Sequence, residues 1–171
     1  MSDLGVVVDP STLRFERTLK GPVQRVWDHL TRPELLAGWL ARGQIELRVG
    51  GKVQLDFAAD GAPESRTGTP IAGEVTRCEP PRALAYSWAS ATDGAGRKSV
   101  VVIELGEAGT DVQLVLTHRH LPAQSFAAHG AGWHAHLDML AARLRSETAE
   151  PFLSVYKRVL PEYEEQIPER G

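Results

Sequence analysis

An antiparallel sheet covered by one long C-terminal helix, an α+β fold, is what this sequence predicts, and three observations predict it. Between Gln44 and Leu116, apolar residues recur at every second position in short runs separated by turn signals, the pattern of strands with one buried face. On either side of that stretch the apolar spacing changes to three and four, from Val23 to Trp39 and again from Phe126 to Leu144, which is helical. Each strand has a single apolar face and needs a cover, and the last helix is the longest candidate.

The elements follow in order. Leu13, Phe15, Arg17 and Leu19 alternate with polar residues and read as a strand, broken by Gly21-Pro22. Proline suits the first turn of a helix, and Val23, Val26, Trp27 and Leu30 follow at helical spacing. Thr31-Arg32-Pro33-Glu34 has the form of a capping box, opening a second short helix through Leu35, Leu36 and Trp39. Ile45, Leu47 and Val49 then alternate up to a turn at Gly50-Gly51, and Val53, Leu55 and Phe57 alternate after it. A polar loop runs from Ala58 to Thr67. Ile71, Gly73 and Val75 precede a break at Glu79-Pro80-Pro81. Leu84, Tyr86 and Trp88 end at a loop from Thr92 to Arg97, and Val101, Ile103 and Leu105 pair across Glu107–Thr110 with Val112, Leu114 and Leu116. The expectation is a meander of five or six strands within one domain over residues 13–146, with an extension at 1–12 and an appendage at 147–171. Phe152, Val155, Tyr156 and Val159 give the appendage one apolar face on a short helix ending before Pro161. It docks on its own domain, covers a pocket mouth, or contacts a second copy as a homodimer.

Bulk properties exclude several classes. The net charge is −3 with both signs interspersed, which argues against nucleic acid as a partner. No apolar run is long enough to span a bilayer, and the N-terminus lacks a signal-peptide pattern, so no membrane is expected. The single Cys78 excludes an intrachain disulfide and fits a reducing compartment, which makes a cytoplasmic location the expectation. No GxSxG, GxxxxGK[ST] or GxGxxG motif is present, and no cofactor is assigned.

The last helix carries the functional signal. Phe126, Gly130, Trp133, Leu137, Leu140 and Leu144 form one stripe. Gly130 and Gly132 each cost helix stability, so something should gain from the missing side chains. The expected gain is room: a cavity between helix and sheet, with Trp133 as a wall. Five of the six histidines fall between residues 118 and 136. His118 and His120 share strand parity with Leu114 and Leu116 and should face the pocket. His129 and His136 flank the Trp133 stripe on one side and His134 on the other. His134 and His136 lie about 200° apart on a helix and cannot jointly chelate one ion; no metal site is assigned. Arg17 points to the apolar side of its strand, either snorkelling to solvent or pairing with a carboxylate, or else anchoring an acidic head group.

In order along the chain, Arg17, Gly21-Pro22 with Val26-Trp27, Thr31-Arg32-Pro33-Glu34-Leu35 to Trp39, Val49-Gly50-Gly51, Gly73-Glu74-Val75, Pro80-Pro81 with Leu84 and Trp88, Thr117-His118, Leu121-Pro122 and Gly132-Trp133 resemble the START-like (SRPBCC) superfamily. Within it they resemble the activator-of-heat-shock-protein-ATPase-like family. The resemblance spans roughly residues 13–146 and implies a helix-grip fold with a deep apolar pocket under the C-terminal helix. Members of the superfamily bind lipids, hormones or polyketides, some are cyclases, and one eukaryotic branch stimulates a chaperone ATPase through a separate N-terminal domain, for which these 171 residues leave no room.

The expectation is therefore binding of a small apolar or amphipathic molecule, lipid or polyketide-like, in that cavity. Trp39, Phe57, Tyr86, Trp88, His118, Trp133 and His136 would contact it, and Val53, Leu55, Val101, Ile103 and Leu114 would supply apolar wall. No catalytic residue is assigned. Two alternatives stand beside this reading. One is a cyclase or hydratase with His118 as acid–base and Tyr86 as polarising donor. The other is a co-chaperone-like module that engages a chaperone through the outer face of the sheet.

Overall fold

A computed structural model describes residues 4–56, 71–89, 98–122 and 126–166. The elements are β1 (Val6–Asp9), β2 (Thr12–Lys20), α1 (Val23–Thr31), α2 (Pro33–Leu36), β3 (Arg42–Ile45), β4 (Lys52–Asp56), β5 (Ile71–Glu79), β6 (Ala83–Trp88), β7 (Ser99–Ala108), β8 (Asp111–Arg119), α3 (Phe126–Leu144) and α4 (Phe152–Gln166). All strand pairs are antiparallel, in the order β1-β2-β8-β7-β6-β5-β4-β3. Strand β2 closes against the last strand, and α1 and α2 carry the chain from there to the opposite edge, where β3 starts the meander. This is the α+β helix-grip arrangement that the residue pattern and the family resemblance imply, with one strand, β1, added at an edge. Among the described residues no helix is long and apolar enough to cross a membrane.

The alternating residues of β4, β6, β7 and β8 point into one core: Val53, Leu55, Leu84, Tyr86, Val101, Ile103, Leu114 and Leu116 are each at most 2% exposed. The predicted stripe of α3 is buried throughout, at Phe126, Gly130, Trp133, Leu137, Leu140 and Leu144. But α3 buries a second face as well. Ala131, His134 and Ala135 are fully covered, and α4 packs along α3 with its Tyr163 reaching the Phe15 ring of β2.

That packing corrects the reading of Gly130. A Cβ there would sit 2.6 Å from the Tyr163 ring of α4, so the missing side chain makes a notch for a tyrosine and not a cavity for a ligand. It also corrects the end of α4. The helix runs through Pro161 to Gln166 although a proline inside a helix costs about 3 kcal/mol. Tyr163, two residues beyond, is 1% exposed, and its burial offsets the lost backbone bond. With Val155 and Val159 also buried, the apolar face of this helix is used within its own chain.

Other local expectations fail for identifiable reasons. The Thr31 hydroxyl bonds back to the Trp27 carbonyl at 2.9 Å, so no capping box forms and α2 starts from Arg32 without a side-chain cap. Strand β3 stops at Ile45, and Leu47 and Val49 are 44% and 67% exposed. The chain from Glu46 to Lys52 folds into a tight turn, with Glu46 N–H bonded to Lys52 O and Gly51 N–H to Arg48 O. A Cβ at Gly51 would be 2.2 Å from the Glu46 carbonyl oxygen. Gly50 and Gly51 then exchange backbone bonds with Val75 of β5, which turns the two apolar side chains outward. Residues 6–9, assigned to an extension, form the edge strand β1.

Candidate functional site

The residues singled out from sequence converge at the end of the sheet where β6 stops, β7 begins, β8 stops and α3 starts. Trp88, last in β6, is register partner of Ser99, first in β7. His118 comes up beside them from β8 and Trp133 descends from α3. Their polar atoms form one directed chain. The Trp133 indole N–H can only donate, and it donates to His118 Nδ1 at 2.9 Å. A neutral His118 therefore carries its proton on Nε2 and donates to the Ser99 hydroxyl at 2.7 Å, which donates to the Trp88 carbonyl at 3.1 Å.

His118 is 0% exposed. Burial, reinforced by neighbouring His129, holds its pKa well below the ordinary value of 6.5. Both ring nitrogens are committed and the ring is neutral, so an acid–base step would first require one of these bonds to break. Buried Tyr86 stacks on Trp88 at 6.4 Å, and burial pushes its hydroxyl pKa upward, so it remains a phenol.

Rings pack around this chain. Trp88 lies 5.4 Å from Trp133 and 5.4 Å from the His118 ring, and His129 meets His118 edge-on at 5.2 Å. Half-buried His136 continues the row, 6.4 Å from Trp133 and 4.6 Å from Phe152 of α4. Its Nδ1 lies 2.9 Å from the Trp39 carbonyl, an acceptor, so Nδ1 carries a proton. Burial lowers its pKa to about 4, against the opposing effect of that carbonyl. Trp39 is buried and donates its indole N–H to the His29 carbonyl at 2.7 Å, joining the group through its backbone and not its ring.

Tyr86, Trp88, His118, Trp133 and His136 are thus brought together, and Trp39 borders them. Phe57 lies outside the described residues. His120 does not share the face of His118: β8 ends at Arg119, and His120 has φ 63° and is exposed. Ser99, not singled out from sequence, sits two residues before Val101, so the same strand parity places it inward. His129, expected to flank the Trp133 stripe, is the histidine whose ring meets that of His118.

One part of this region is not filled. Residues 129, 132 and 136 fall within about 60° of one another on a helix, and here they form a half-buried face of α3. Among the described residues, and apart from its chain neighbours and the surrounding turns of its own helix backbone, nothing lies within 4 Å of where a Cβ on Gly132 would stand. The open space is therefore at Gly132, beside the ring cluster, and not at Gly130.

A second polar group occupies the other side of α3. The Tyr163 hydroxyl accepts the Gly5 N–H at 2.7 Å and lies 2.9 Å from His134 Nδ1. Nε2 of the same imidazole is 3.7 Å from Asp138, whose carboxylate faces Arg17 at 4.0 Å. Arg17 is 6% exposed and lies over the Phe15 ring. Of the roles considered for it, pairing with a carboxylate is the one observed. At the opposite end of the sheet, a surface cleft of about 630 Å³ is lined by residues of both charge signs, including Lys20, Glu107, Asp111 and Arg145.

The family described as Activator of Hsp90 ATPase homolog 1-like protein matches residues 20–145. The solution structure of the protein encoded by gene BPP1335 from Bordetella parapertussis is 34% identical, with a TM-score of 0.77, covering 99% of this chain and 95% of that one. CalU16 from Micromonospora echinospora is 24% identical, with a TM-score of 0.73 over 92% of this chain and 89% of its own. DynU16, from the dynemicin biosynthetic locus, is 23% identical, with a TM-score of 0.68 over 84% of this chain and 50% of its own. A comparison with curated proteins yields no match.

Proposed function

The chain belongs to the activator of Hsp90 ATPase homolog 1-like family of the START-like superfamily, and from that premise we propose that it binds a small apolar or amphipathic molecule between the sheet and α3, entering beside Gly132. The observation that carries this reading is the open space at Gly132, next to a cluster of indole and imidazole rings. A glycine inside a helix costs about 0.5–1 kcal/mol relative to alanine, and no described side chain or backbone uses the room it leaves. Trp88 and Trp133 are buried beside that space, while the half-buried His129 and His136 stand where a guest would first touch.

The inner polar groups already bond one another, so they hold the rings and select by shape and not by charge. His118 in this reading is a positioning residue. A lipid or polyketide-like molecule suits such a surface, and turnover is no part of the proposal.

Native mass spectrometry tests it. The protein is incubated with saturated fatty acids in one sample and with neutral fused-ring aromatics in another. A one-to-one adduct that survives buffer exchange is the expected result; bare protein in both samples would remove the proposal.

A further inference from the structure

The apolar face of α4 is not evenly buried. Val155, Tyr156, Val159 and Tyr163 are each at most 7% exposed, whereas Phe152 and Leu153, in the first turn, are half-buried. The two ends of the helix are also held differently. Tyr163 accepts the Gly5 N–H and lies against His134 Nδ1. Phe152 is held by rings, 4.6 Å from His136 with a tilt of 47° and stacked on Tyr156 at 5.8 Å.

The ring that Phe152 meets is its link to the open space. His136 follows Gly132 by four residues, about one helical turn, on the half-buried face of α3. The half-buried end of α4 and the half-buried face of α3 therefore meet at His136, one turn from the space at Gly132. Both stretches of chain are free of formal charge. Residues 126–137 and 152–156 contain no Asp, Glu, Lys or Arg, and burial lowers the His136 pKa to about 4, which leaves its ring neutral at neutral pH.

We propose that the first turn of α4 is the outer wall of the ligand site and that Phe152 is its specificity-determining residue, favouring flat uncharged ring systems over flexible chains. This assignment rests on the ligand site proposed beside Gly132. Aromatic rings attract one another in offset and edge-on arrangements beyond what burial of their area supplies. Phe152 keeps part of its ring uncovered, and the rings beside it are fixed: His136 by the Trp39 carbonyl and Tyr156 by burial. A rigid guest gives up little freedom against such a wall, while a flexible chain gives up more. With no charged side chain on either stretch to offset the desolvation of an ionic head group, a fatty acid is the poorer ligand.

Calorimetric titration with a neutral naphthylamine and with decanol, a neutral chain, tests this. The unsubstituted protein should bind both, the naphthylamine more tightly. Phe152→Leu should weaken the naphthylamine about fivefold or more and leave decanol within about twofold, and Phe152→Trp should retain the naphthylamine affinity. Decanol is the internal control, because a general loosening of α4 would weaken both probes alike. Equal weakening of the two probes by Phe152→Leu, or a Phe152→Trp variant as weak as Phe152→Leu, would overturn the proposal. If both probes bind and Phe152→Leu changes neither, the site beside Gly132 stands and the assignment of Phe152 falls. If neither probe binds the unsubstituted protein, the site itself falls and takes the assignment with it.

Discussion

Helix α3 carries a buried histidine network on each of two faces, and the two are built differently. On the sheet side, Trp133, His118 and Ser99 pass hydrogen bonds in one direction to a backbone carbonyl, with no ion involved. On the α4 side, Tyr163 and His134 lead to Asp138, which is 39% exposed and faces Arg17. The first network fixes rings beside open space; the second fastens α4 and the N-terminal strand onto the helix. The histidine-rich sequence is therefore two structural devices, and its density alone says little about chemistry.

The largest effect should come from breaking the fastening. Tyr163→Ala empties the notch beside Gly130, and the loss of a large buried aromatic should cost about 3–5 kcal/mol, read from urea unfolding. Gly130→Leu attacks the same contact from the other side, forcing a side chain into the ring position, and should cost about 1–3 kcal/mol.

How much of this was legible beforehand depends on sequence distance. The α3 stripe, the meander and the inward parity of His118 follow from local spacing, and all three appear in the structure. Gly130 was misread because its partner is a tyrosine 33 positions away, across a proline that local rules treat as a helix stop. Leu47 and Val49 alternate like strand residues, yet a glycine pair tied to β5 turns them outward. Thr31 carries a capping signature, but the carbonyl of the preceding turn claims its hydroxyl first. Ser99 was within reach, since parity from Val101 places it inward, but a serine before a valine run carries no signal until Trp88 and His118 are known to flank it.

Removing the imidazole on the sheet side comes next. His118→Ala strips the acceptor from the Trp133 indole and opens a small void, and should cost about 2–4 kcal/mol. His134→Ala, bordering a half-exposed carboxylate, should cost less. Equal losses in the two variants would erase the distinction drawn between the faces.

Acid should separate the faces further. His118 and His136 are both held below the ordinary value of 6.5, His136 at about 4, so each is neutral when folded. The unfolded chain takes up more protons as pH drops. The stability contributed by these residues is therefore complete above about pH 6.5 and is lost progressively toward about pH 4. Urea midpoints should fall over that window, and His136→Gln should fall less steeply; a parallel decline would remove His136 from the account.

The smallest effect is a gain. Gly132→Ala adds a methyl group to open space on a helix and should raise stability by about 0.5–1 kcal/mol. Destabilisation would mean that the space is occupied.

Titration of a neutral naphthylamine probe into the unsubstituted protein, Gly132→Ala and Gly132→Leu, followed by probe emission, tests the central claim most directly. The account predicts saturable one-site binding to the first two proteins and affinity weakened about tenfold or more in Gly132→Leu, with its melting temperature preserved. Probe bound equally by all three, or by none, would contradict the claim that the space beside Gly132 admits a ligand.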